Sequence, residues 1–536
     1  MSSSKSGREW PWVVFVSGLI MLATSIPIIV GTLNPSPGMV FSGTVYDRQD
    51  FAVHLATMRW AKQSNWAYSL VFTTESAPSR SVKLAYVALG KLDAWLNGNP
   101  VLTYHLARVV FGWLALLLLY ALMRRIFTSR WNRRFAFLVA ALASGLGWLQ
   151  LALGIQLDPG VSPIDFWLSD AYVFFSLMLF PHFAVVAICI LGAILGYDRY
   201  LGLGDSFGLI ITQMAIFIIL AIQPFSIALA YLSIGGMIVG RWRQAGKITF
   251  GMVMPLVILV LTMLPFVWFN VEAFNQDEVW RSFASQNITL SPPPLYYLMG
   301  IGLLTPLALY GGWIAWRDRD RLGIMAGVWL LGAGVLVYLP TQFQRRFSLF
   351  VMIPLSILAV LGLKQITDRL GPFRRSVRFV QLIFLVLISI SSIYLVAGGV
   401  LLALNQHADI YDPADLVEAL DWLAAQPPDG QCALSSPRTG LLVPTLTNLR
   451  SYVAHPIETA YYETKLAKET DFYSGQMSSQ ESERFLSQVG CEWIIVGPYE
   501  ETEPDRLQAQ VPDLEIAYAN SGVTIFRWVP EEGESP

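Results

Sequence analysis

The composition of this chain separates it from ordinary soluble proteins. Of its 536 residues, 54% are hydrophobic and only 14% are charged, whereas soluble domains carry about 25% charged residues. Most of the sequence is therefore expected to lie in lipid. The formal net charge of −2 provides no basic excess for nucleic acid, and the sequence contains no nucleic-acid-binding motif.

The first hydrophobic run extends from Trp12 to Val30, after the positive residues Lys5 and Arg8. It is longer than the apolar core of a signal peptide, which is about 7–15 residues, and no small-residue cleavage pattern follows it. We interpret this run as a retained signal anchor and the first membrane span.

Similar runs recur and predict about eleven membrane spans, because a helix needs about twenty residues to cross roughly 30 Å of hydrocarbon. The fifth and sixth are short and meet at Gln223-Pro224, so they could instead form a re-entrant pair. The predicted spans lie near residues 11–31, 101–122, 135–155, 173–196, 207–223, 225–240, 248–270, 295–315, 322–339, 347–363 and 379–404.

The positions of lysine and arginine predict the orientation, because positive residues near span ends stay in the cytoplasm. With the N-terminus inside, positive clusters such as residues 124–134, 241–247 and 364–378 all fall on the cytoplasmic side. The short loops on the other side carry only Arg281 and the pair Arg345-Arg346. The N-terminus is therefore predicted inside, and the odd number of spans places the C-terminal tail outside.

Two parts of the chain depart from the membrane pattern. The segment 31–100 far exceeds the usual helix connection of about 2–8 residues and is predicted to be a long first external loop. Residues 405–536 show the alternating helix and strand patterns of a soluble α/β domain. The predicted fold class is thus a polytopic α-helical membrane protein, with a transmembrane domain over 1–404 and an extracytoplasmic α/β domain over 405–536.

Within the tail, the patterns predict individual elements. Helices are expected after Asp412-Pro413 and over 479–489, strands over 432–435, 452–455 and 491–496, and a hairpin at Asn520-Ser521-Gly522.

The three cysteines fit no metal-ligand spacing. Cys189 lies in a predicted span, and Cys432 and Cys491 lie near the start of apolar strand-like runs in the tail. This placement favours two ordinary buried thiols in the tail over the alternative of one disulfide.

Asp47, Asp50 and His54 follow the first span closely. The next apolar residues recur at helical spacing and predict an amphipathic helix at the outer membrane interface, on which Asp50 and His54 are i,i+4 neighbours. A carboxylate beside an imidazole suits a general base, since partial burial raises the pKa of a carboxyl group towards neutrality. The same groups could hold a divalent cation, or the aspartates could simply cap the helix. Asp50 is therefore the first candidate catalytic residue, and Asp47 is the second.

Arg345 and Arg346 lie at the outer mouth of a predicted span, where a charge is costly. Two guanidinium groups at headgroup level suit the phosphate of a lipid-linked substrate, because arginine binds phosphate through two parallel hydrogen bonds. Snorkelling towards anionic headgroups is the alternative.

Other ionisable residues lie in or near predicted spans. His105 and Arg108 share one side of the second span, and His182 follows Pro181, which is expected to break its span. Such groups usually face the bundle interior or a wet cavity, so each could contact substrate or hold a structural partner. Asp165 lies in a predicted interfacial helix on the external side, as a substrate-binding residue or a solvated carboxylate.

One polar cluster lies in the tail between a predicted strand and a predicted helix. An ordinary strand-to-helix turn is favoured there over recognition of a substrate. The cluster consists of His455, Glu458, Tyr461, Tyr462 and Lys465.

This layout resembles the GT-C superfamily of membrane glycosyltransferases, which includes protein mannosyltransferases and the aminoarabinose transferase of lipid A. In that superfamily an acidic residue at the start of the first external loop is the catalytic acid/base or positions the acceptor, and the matching residues are Asp47 and Asp50. Many members have an adjacent Asp-Glu pair where this chain has Asp-Arg-Gln-Asp. The chain also resembles uncharacterised bacterial membrane proteins of this type in three short patterns. They are Asp50-x-x-x-His54-Leu55-Ala56-x-Met58-Arg59, Thr74-Glu75 and Pro181-His182-Phe183.

The resemblance implies a glycosyltransferase of the bacterial inner membrane. It would move a sugar from a polyprenyl-phosphate-linked donor to a lipid, glycan or protein acceptor at the outer face. Asp50 or Asp47 would deprotonate the acceptor hydroxyl, and Arg345 or Arg346 would hold the departing phosphate.

Such a donor contains its own leaving group, so no cofactor is expected beyond the divalent cation already considered. The expected partners are the donor and membrane lipids, and the sequence carries no signal for an oligomeric state. A lipid or oligosaccharide transporter or flippase and a non-catalytic membrane assembly protein are the alternatives.

Overall fold

The computed structural model describes residues 9–62, 66–370, 374–427 and 432–528. They fall into two compact units. The helical unit lies within residues 1–27, 105–269 and 288–400, and the mixed unit lies within 28–104, 270–287 and 401–536.

Helices dominate the chain, and short strands occur almost entirely in the tail. The helices are α1 Trp10–Leu33, α2 Arg48–Ala61, α3 Leu84–Leu96, α4 Pro100–Ile126, α5 Arg130–Leu142, α6 Gly147–Ala152, α7 Val173–Leu179, α8 Pro181–Leu203, α9 Ser206–Ile222, α10 Ile227–Ala245, α11 Phe250–Asn275, α12 Glu278–Gln286, α13 Pro294–Ile301, α14 Leu304–Arg317, α15 Arg321–Leu336, α16 Met352–Arg369, α17 Arg374–Ile388, α18 Ile390–Leu404, α19 Ala414–Ala424, α20 Pro437–Leu446, α21 Tyr462–Tyr473, α22 Ser479–Val489 and α23 Pro504–Gln510. The strands are β1 Met39–Phe41, β2 Tyr411–Pro413, β3 Cys432–Leu434, β4 Arg450–Ser451, β5 Trp493–Val496, β6 Glu515–Ala519 and β7 Thr524–Arg527.

Several helices are suited to membrane crossing. Among the described residues six are long and apolar enough, and the number reaches eight if each of two bent helix pairs forms one span. The bent pairs are α13 with α14, at 86°, and the apolar part of α17 with α18, at 43°. Two shorter apolar helices, α9 and α15, add to this set. The chain is therefore a polytopic α-helical membrane protein, while the predicted count of about eleven spans and the orientation stay predictions.

Two of the predicted spans are interrupted. Near 173–196, α7 ends at Leu179 and α8 begins at Pro181, with Phe180 in an extended conformation between them. Proline lacks the backbone N–H that would continue the helix, so the break predicted at Pro181 is confirmed. Near 135–155, α5 ends at Leu142 and α6 begins only at Gly147.

Small residues allow close helix packing in the helical unit. At Gly311 on α14, an added Cβ would lie 1.8 Å from the carbonyl oxygen of Leu358 on α16. Only glycine permits this approach, which brings the two helix backbones together where burial of apolar surface between helices gives no advantage over lipid.

The mixed unit contains a five-stranded sheet in the order β4-β3-β5-β7-β6. Strand β3 pairs in parallel with β4 and β5, whereas β7 is antiparallel to both β5 and β6. The α/β character of the tail is thereby confirmed, as are helix α22 and the hairpin at Asn520-Ser521-Gly522. Strand β1 lies in the first loop and pairs antiparallel with β2 at the start of the tail, with Met39 opposite Pro413.

Cys432 and Cys491 form a disulfide with an S–S distance of 2.04 Å, so the expectation of two separate thiols in the tail is wrong. The reason is strand register. Cys432 begins β3 and Cys491 precedes β5, and these strands are parallel neighbours with Ala433 opposite Trp493. The pairing places the two sulfurs side by side across a separation of 59 residues. Cys189 is buried, as expected for a cysteine in a span.

Residues 66–83 of the first loop contain little regular structure, and the tail donates hydrogen bonds to several of their backbone carbonyls. The Ser451 amide donates to the Val71 carbonyl over 3.1 Å, and the Thr459 hydroxyl donates to the Phe72 carbonyl over 2.7 Å. The same Thr459 hydroxyl accepts from the Ala454 amide over 3.0 Å. The first loop and the tail are therefore one folded body.

Helix α2 packs into this body on more than one side. Its residues Ala52, Val53 and Ala56 join a buried apolar cluster with residues of the loop and the tail. Every residue from Phe51 to Met58 is buried. The predicted helix after Asp47 is thus confirmed, but it is a core helix of the mixed unit instead of an amphipathic helix with one open face.

The tail also buries a carboxyl group, Glu469 on α21. Burial, and then the nearby carboxylate of Glu500, raise the pKa of Glu469 from 4.5 to about 8. Glu500 itself accepts hydrogen bonds from the amides of Ser436 and Gly497, both over 2.9 Å. Between pH 4.5 and pH 8 the native protein therefore holds a proton on Glu469 that the unfolded chain releases.

This difference predicts that the contribution of Glu469 to stability falls as the pH rises from about 5 to 8. Glu469→Gln removes this titration. We therefore expect the change in unfolding free energy caused by Glu469→Gln to be more favourable at pH 8.5 than at pH 5, by roughly 1–3 kcal/mol. Denaturant unfolding at both pH values measures this difference. Glu463→Gln, on the exposed side of the same helix, is the control, and an equal effect of Glu469→Gln at both pH values would contradict the prediction.

Candidate functional site

The first candidate residues lie where α2 begins. Asp47 precedes the helix in the left-handed region, with φ at 52°, and its side chain makes no capping hydrogen bond to α2. The Asp47 side chain therefore does not cap α2, in contrast to the alternative that the sequence left open. A non-glycine residue in this conformation costs roughly 1–2 kcal/mol, and such strain is concentrated at functional sites. Asp50 follows in the first turn of α2.

Aromatic rings surround His54, one turn further along α2. The His54 ring stacks on Tyr86 of α3 with centroids 3.7 Å apart and an interplanar angle of 11°. The Tyr104 ring lies beyond them, 6.0 Å from Tyr86. Burial raises the pKa of Tyr86 well above its usual value, and so do Tyr104 and the charges of Asp50 and Asp47. Both candidate carboxylates thus act on the same buried aromatic group.

A glycine sets the distance between α2 and α3. A Cβ added at Gly90 would lie 2.2 Å from the carbonyl oxygen of Met58, so only glycine allows α3 to approach this closely. The approach brings the Tyr86 ring against the His54 ring.

The imidazole that the structure places against the Asp50 carboxylate comes from the tail. His455 Nε2 lies 3.5 Å from Asp50 Oδ1, and the Asp50 side chain is 38% exposed. The sequence pattern around His455 predicts an ordinary polar turn and gives no sign of this contact. No sequence signal pairs two residues so far apart, so only the fold reveals this contact.

A cavity of about 540 Å³ opens beside Asp47 in the mixed unit. Apolar side chains form much of its wall, among them Leu402, Ile410 and Leu441, and the polar part includes Asp47 and Gln49. The neighbouring Arg48 forms a salt bridge with Asp412 and donates to the Asp409 carbonyl over 3.0 Å. The cavity can thus accommodate a partly apolar molecule with a polar group at the Asp47 end.

Other members of the tail cluster hold the first loop in place. Glu458 accepts a hydrogen bond from the Tyr68 hydroxyl over 2.6 Å and forms a salt bridge with Lys83. Lys465 forms a 2.6 Å ion pair with Glu75, and burial lowers the pKa of Lys465. These contacts support a structural role for this part of the cluster.

In the helical unit, Arg345 and Arg346 lie in a short 3₁₀ helix, Gln344–Ser348. The Arg346 guanidinium lies 3.6 Å from the carboxylate of the buried Asp170. The Arg345 guanidinium lies over the Trp167 ring, 5.7 Å from its centroid. The two arginines thus have defined orientations on a folded surface, unlike long side chains that merely reach towards headgroups.

Asp165 is buried in the helical unit instead of solvated. It lies in the 3₁₀ turn Ile164–Phe166, where an interfacial α-helix is predicted, and its carboxylate accepts from the Gly147 amide over 3.1 Å. Burial raises the pKa of Asp165, and hydrogen bonds from Ser391 and Gly147 oppose this increase. These contacts hold the segment around Asp165 against the start of α6.

The remaining candidates belong to the helical unit as well. Arg108 is fully buried, and its guanidinium donates to the Thr24 and Ser25 hydroxyls and to the Leu177 carbonyl over 2.7–3.1 Å. This arrangement agrees with the structural alternative for Arg108. His105 is half-buried on α4, and His182 is half-buried at the start of α8, 4.4 Å from the ring centroid of Phe183. Across the described ranges, no group of three or more His, Cys, Asp or Glu side chains could hold a metal ion.

Comparisons with known proteins identify the fold. No protein-family model matches the sequence, and no curated protein matches it. Solved structures do match. The archaeal oligosaccharyltransferase AglB from Archaeoglobus fulgidus, in complex with an inhibitory peptide and a dolichol-phosphate, has a TM-score of 0.50 and 13% identity, over 99% of this chain and 75% of that protein. ArnT from Cupriavidus metallidurans, bound to undecaprenyl phosphate, has a TM-score of 0.52 and 11% identity, over 98% of this chain and 99% of that protein.

A third protein extends this result. The arabinofuranosyltransferase AftD from Mycobacteria has a TM-score of 0.56 and 14% identity, over 96% of this chain and 40% of that larger protein. All three are GT-C glycosyltransferases. The chain has the GT-C fold. A further structure of the Archaeoglobus enzyme, with a TM-score of 0.50 and 12% identity over 97% of this chain and 74% of that protein, contains zinc and sulfate.

Proposed function

We propose that the chain is a membrane glycosyltransferase that transfers a sugar from a polyprenyl-phosphate-linked donor to a lipid, glycan or protein acceptor. The observation that carries this proposal is a GT-C fold over nearly the whole chain with two acidic residues at the start of the first loop helix. Two of the similar proteins were solved with polyprenyl phosphates, namely dolichol-phosphate and undecaprenyl phosphate.

In the proposed reaction, Asp50 is the general base. Its carboxylate takes the proton of the acceptor hydroxyl while the acceptor oxygen forms a bond to the anomeric carbon of the sugar. The bond between that carbon and the phosphate oxygen breaks, and the polyprenyl phosphate leaves with the electron pair. Asp50 is suited to this role because its side chain is 38% exposed and a fixed geometry favours proton transfer.

Asp47 has a complementary role in this proposal. It borders the cavity of about 540 Å³, so it can accept a hydrogen bond from an acceptor bound there. The apolar part of the cavity wall lowers the local polarity beside the acceptor, and a less polar surrounding strengthens electrostatic interactions. If Asp50 is not the base, Asp47 is the alternative.

Arg345 and Arg346 are proposed to bind the phosphate of the donor. Their positive charges neutralise the charge that develops on the leaving phosphate. Asp170 and Trp167 support this role because they hold the two guanidinium groups in defined orientations. His54, His105, Arg108, His182 and Asp165 stay predictions as substrate-binding residues, as does a divalent cation at the site.

The finer details of topology are also part of the proposal. We infer about eleven spans, a cytoplasmic N-terminus and an extracytoplasmic domain over 405–536 in the bacterial inner membrane. The disulfide between Cys432 and Cys491 supports this side for the tail, because disulfides persist in oxidising compartments and are rare in the cytosol.

Replacing the proposed base is expected to stop the chemistry without unfolding the protein. Asp50→Asn should lower kcat by about 10²- to 10⁴-fold, the usual contribution of general-base catalysis. The assay uses the purified protein in liposomes with a panel of undecaprenyl-phosphate monosaccharides and a membrane lipid extract as acceptor. Asp47→Asn tests the alternative base, and Asp513→Asn, at an exposed site in the tail, is the matched control. Unchanged turnover of Asp50→Asn on a donor that the wild type consumes would remove Asp50 from the mechanism.

Loss of a phosphate-binding arginine is expected to affect donor affinity. Arg345→Gln and Arg346→Gln should each raise KM for the donor about 10-fold or more, since a hydrogen bond to a charged group contributes roughly 1.5–3 kcal/mol. The lysine variants at both positions should be intermediate because they keep the charge but not the paired hydrogen bonds. Arg281→Gln, in α12, is the control, and an unchanged KM in both glutamine variants would exclude the phosphate-binding role.

Cysteine labelling tests the orientation. In intact spheroplasts, a membrane-impermeant maleimide should label Gln480→Cys, which is exposed on α22. Lys247→Cys, at an exposed site after α10, should react only after the membrane is permeabilised. The reverse pattern would overturn the proposed topology.

A further inference from the structure

We infer that His455 is a positioning residue for Asp50, a role that rests on the proposed function. In this inference a neutral His455 ring donates its Nε2–H to one oxygen of the Asp50 carboxylate and thereby holds that carboxylate in one orientation for the acceptor hydroxyl. The structure supports this through the distance of 3.5 Å between His455 Nε2 and Asp50 Oδ1.

The other nitrogen of the ring fixes the tautomer. His455 Nδ1 accepts a hydrogen bond from the Ile457 amide over 3.0 Å and lies 3.4 Å from the Glu458 amide, which also donates to it. A nitrogen that accepts from backbone N–H groups carries no proton of its own, because a proton there would point at the two donors. The ring proton is therefore on Nε2, which faces Asp50.

The surrounding tail holds this ring rigidly. The His455 side chain is only 6% exposed. Its carbonyl accepts from the Thr459 amide over 2.9 Å, and the next acidic residue, Glu458, is anchored by Tyr68 and Lys83. The imidazole therefore has a fixed direction before any substrate binds, and so has the carboxylate that it contacts.

This geometry assigns a donor role and excludes a relay. When Asp50 takes the proton of the acceptor hydroxyl, it does not pass that proton on to His455, because Nε2 is already protonated and Nδ1 accepts from two backbone N–H groups. The hydrogen bond favours the charged form of the carboxylate, so Asp50 stays ionised and ready to accept the proton. Other titratable groups also face Asp50 or its immediate surroundings: Asp47 and His54 on its own segment, Tyr86 from α3 and Tyr104 from α4.

The experiment compares two replacements of His455 in the full-length protein. His455→Gln keeps an N–H close to the position of Nε2, whereas His455→Phe keeps the ring shape and removes the donor. His407→Gln, at an exposed histidine of the tail, is the matched control. Turnover of undecaprenyl-phosphate monosaccharides in liposomes is measured against pH, together with the free energy of unfolding of each variant.

We expect His455→Phe to lower kcat by about 10- to 100-fold with KM for the donor unchanged, as for the loss of a hydrogen bond to a charged group. The acidic limb of its pH profile should move to higher pH, because the Asp50 carboxylate loses a donor. His455→Gln should be closer to the wild type than His455→Phe, both in kcat and in the pH at which the acidic limb lies. A purely structural role predicts instead that both variants lose activity equally with no movement of the acidic limb, and this result would overturn the inference.

A second measurement is independent of turnover. In ¹⁵N-histidine NMR of the purified protein, the signal that disappears in His455→Gln should have the shifts of a neutral ring protonated at Nε2. The chemical shift of the Nε2 proton should change in Asp50→Asn. A ring protonated at Nδ1, or a signal whose shift is the same in Asp50→Asn as in the wild type, would overturn the inference. If the NMR result is as expected while Asp50→Asn keeps full turnover, the role of Asp50 as the base fails, and with it the positioning role of His455, while the hydrogen bond between the two residues stands.

Discussion

The structure of the mixed unit depends on one constraint, the need to satisfy the backbone polar groups of an irregular first loop. Buried N–H and C=O groups without a partner cost free energy, and apart from the bridge between Tyr68 and Arg80, residues 66–83 have little regular structure that would pair their own. The tail supplies partners for the Val71 and Phe72 carbonyls through Ser451 and Thr459. Ion pairs at Glu75 and Lys83 close the same interface. A long loop after the first helix is therefore an ordered half of a domain whose other half is made at the end of the chain.

The packing of the first loop against the tail also holds the candidate site in place. Helix α2 is held on one side by α3, through the close approach at Gly90, and on another by the apolar cluster that includes Leu441 and Ala454 of the tail. Asp50 lies on a helix that is buried along most of its length, yet its carboxylate is partly open. In the proposed function, this buried helix with a partly open carboxylate, 3.5 Å from a histidine of a distant segment, would provide the preorganisation that general-base catalysis needs.

The elements set by local chemistry could be predicted from the sequence, and the long-range pairings could not. Helix α22 is bounded by a capping box at Ser478 and by Gly490 in the left-handed region, and both are local signals. The same holds for the break before Pro181. The disulfide depends on the register of two parallel strands, and the contact between Asp50 and His455 depends on how the tail folds back on the loop. The sequence pattern places Asp50 and His54 on one helix but carries no information about the ring that reaches Asp50 from outside that helix.

The interface between the loop and the tail also determines when the protein can mature. Tyr68 and Glu458, which share a hydrogen bond, are 390 residues apart. The first loop is therefore synthesised long before its partners exist, while most of the helices are still to be made. Contacts of such sequence separation form slowly. A chain interrupted before the tail would lack the hydrogen-bond and ion-pair partners of the first loop, so that loop would be exposed to proteases and chaperones. The fold of the first loop is therefore completed only when the tail has been synthesised.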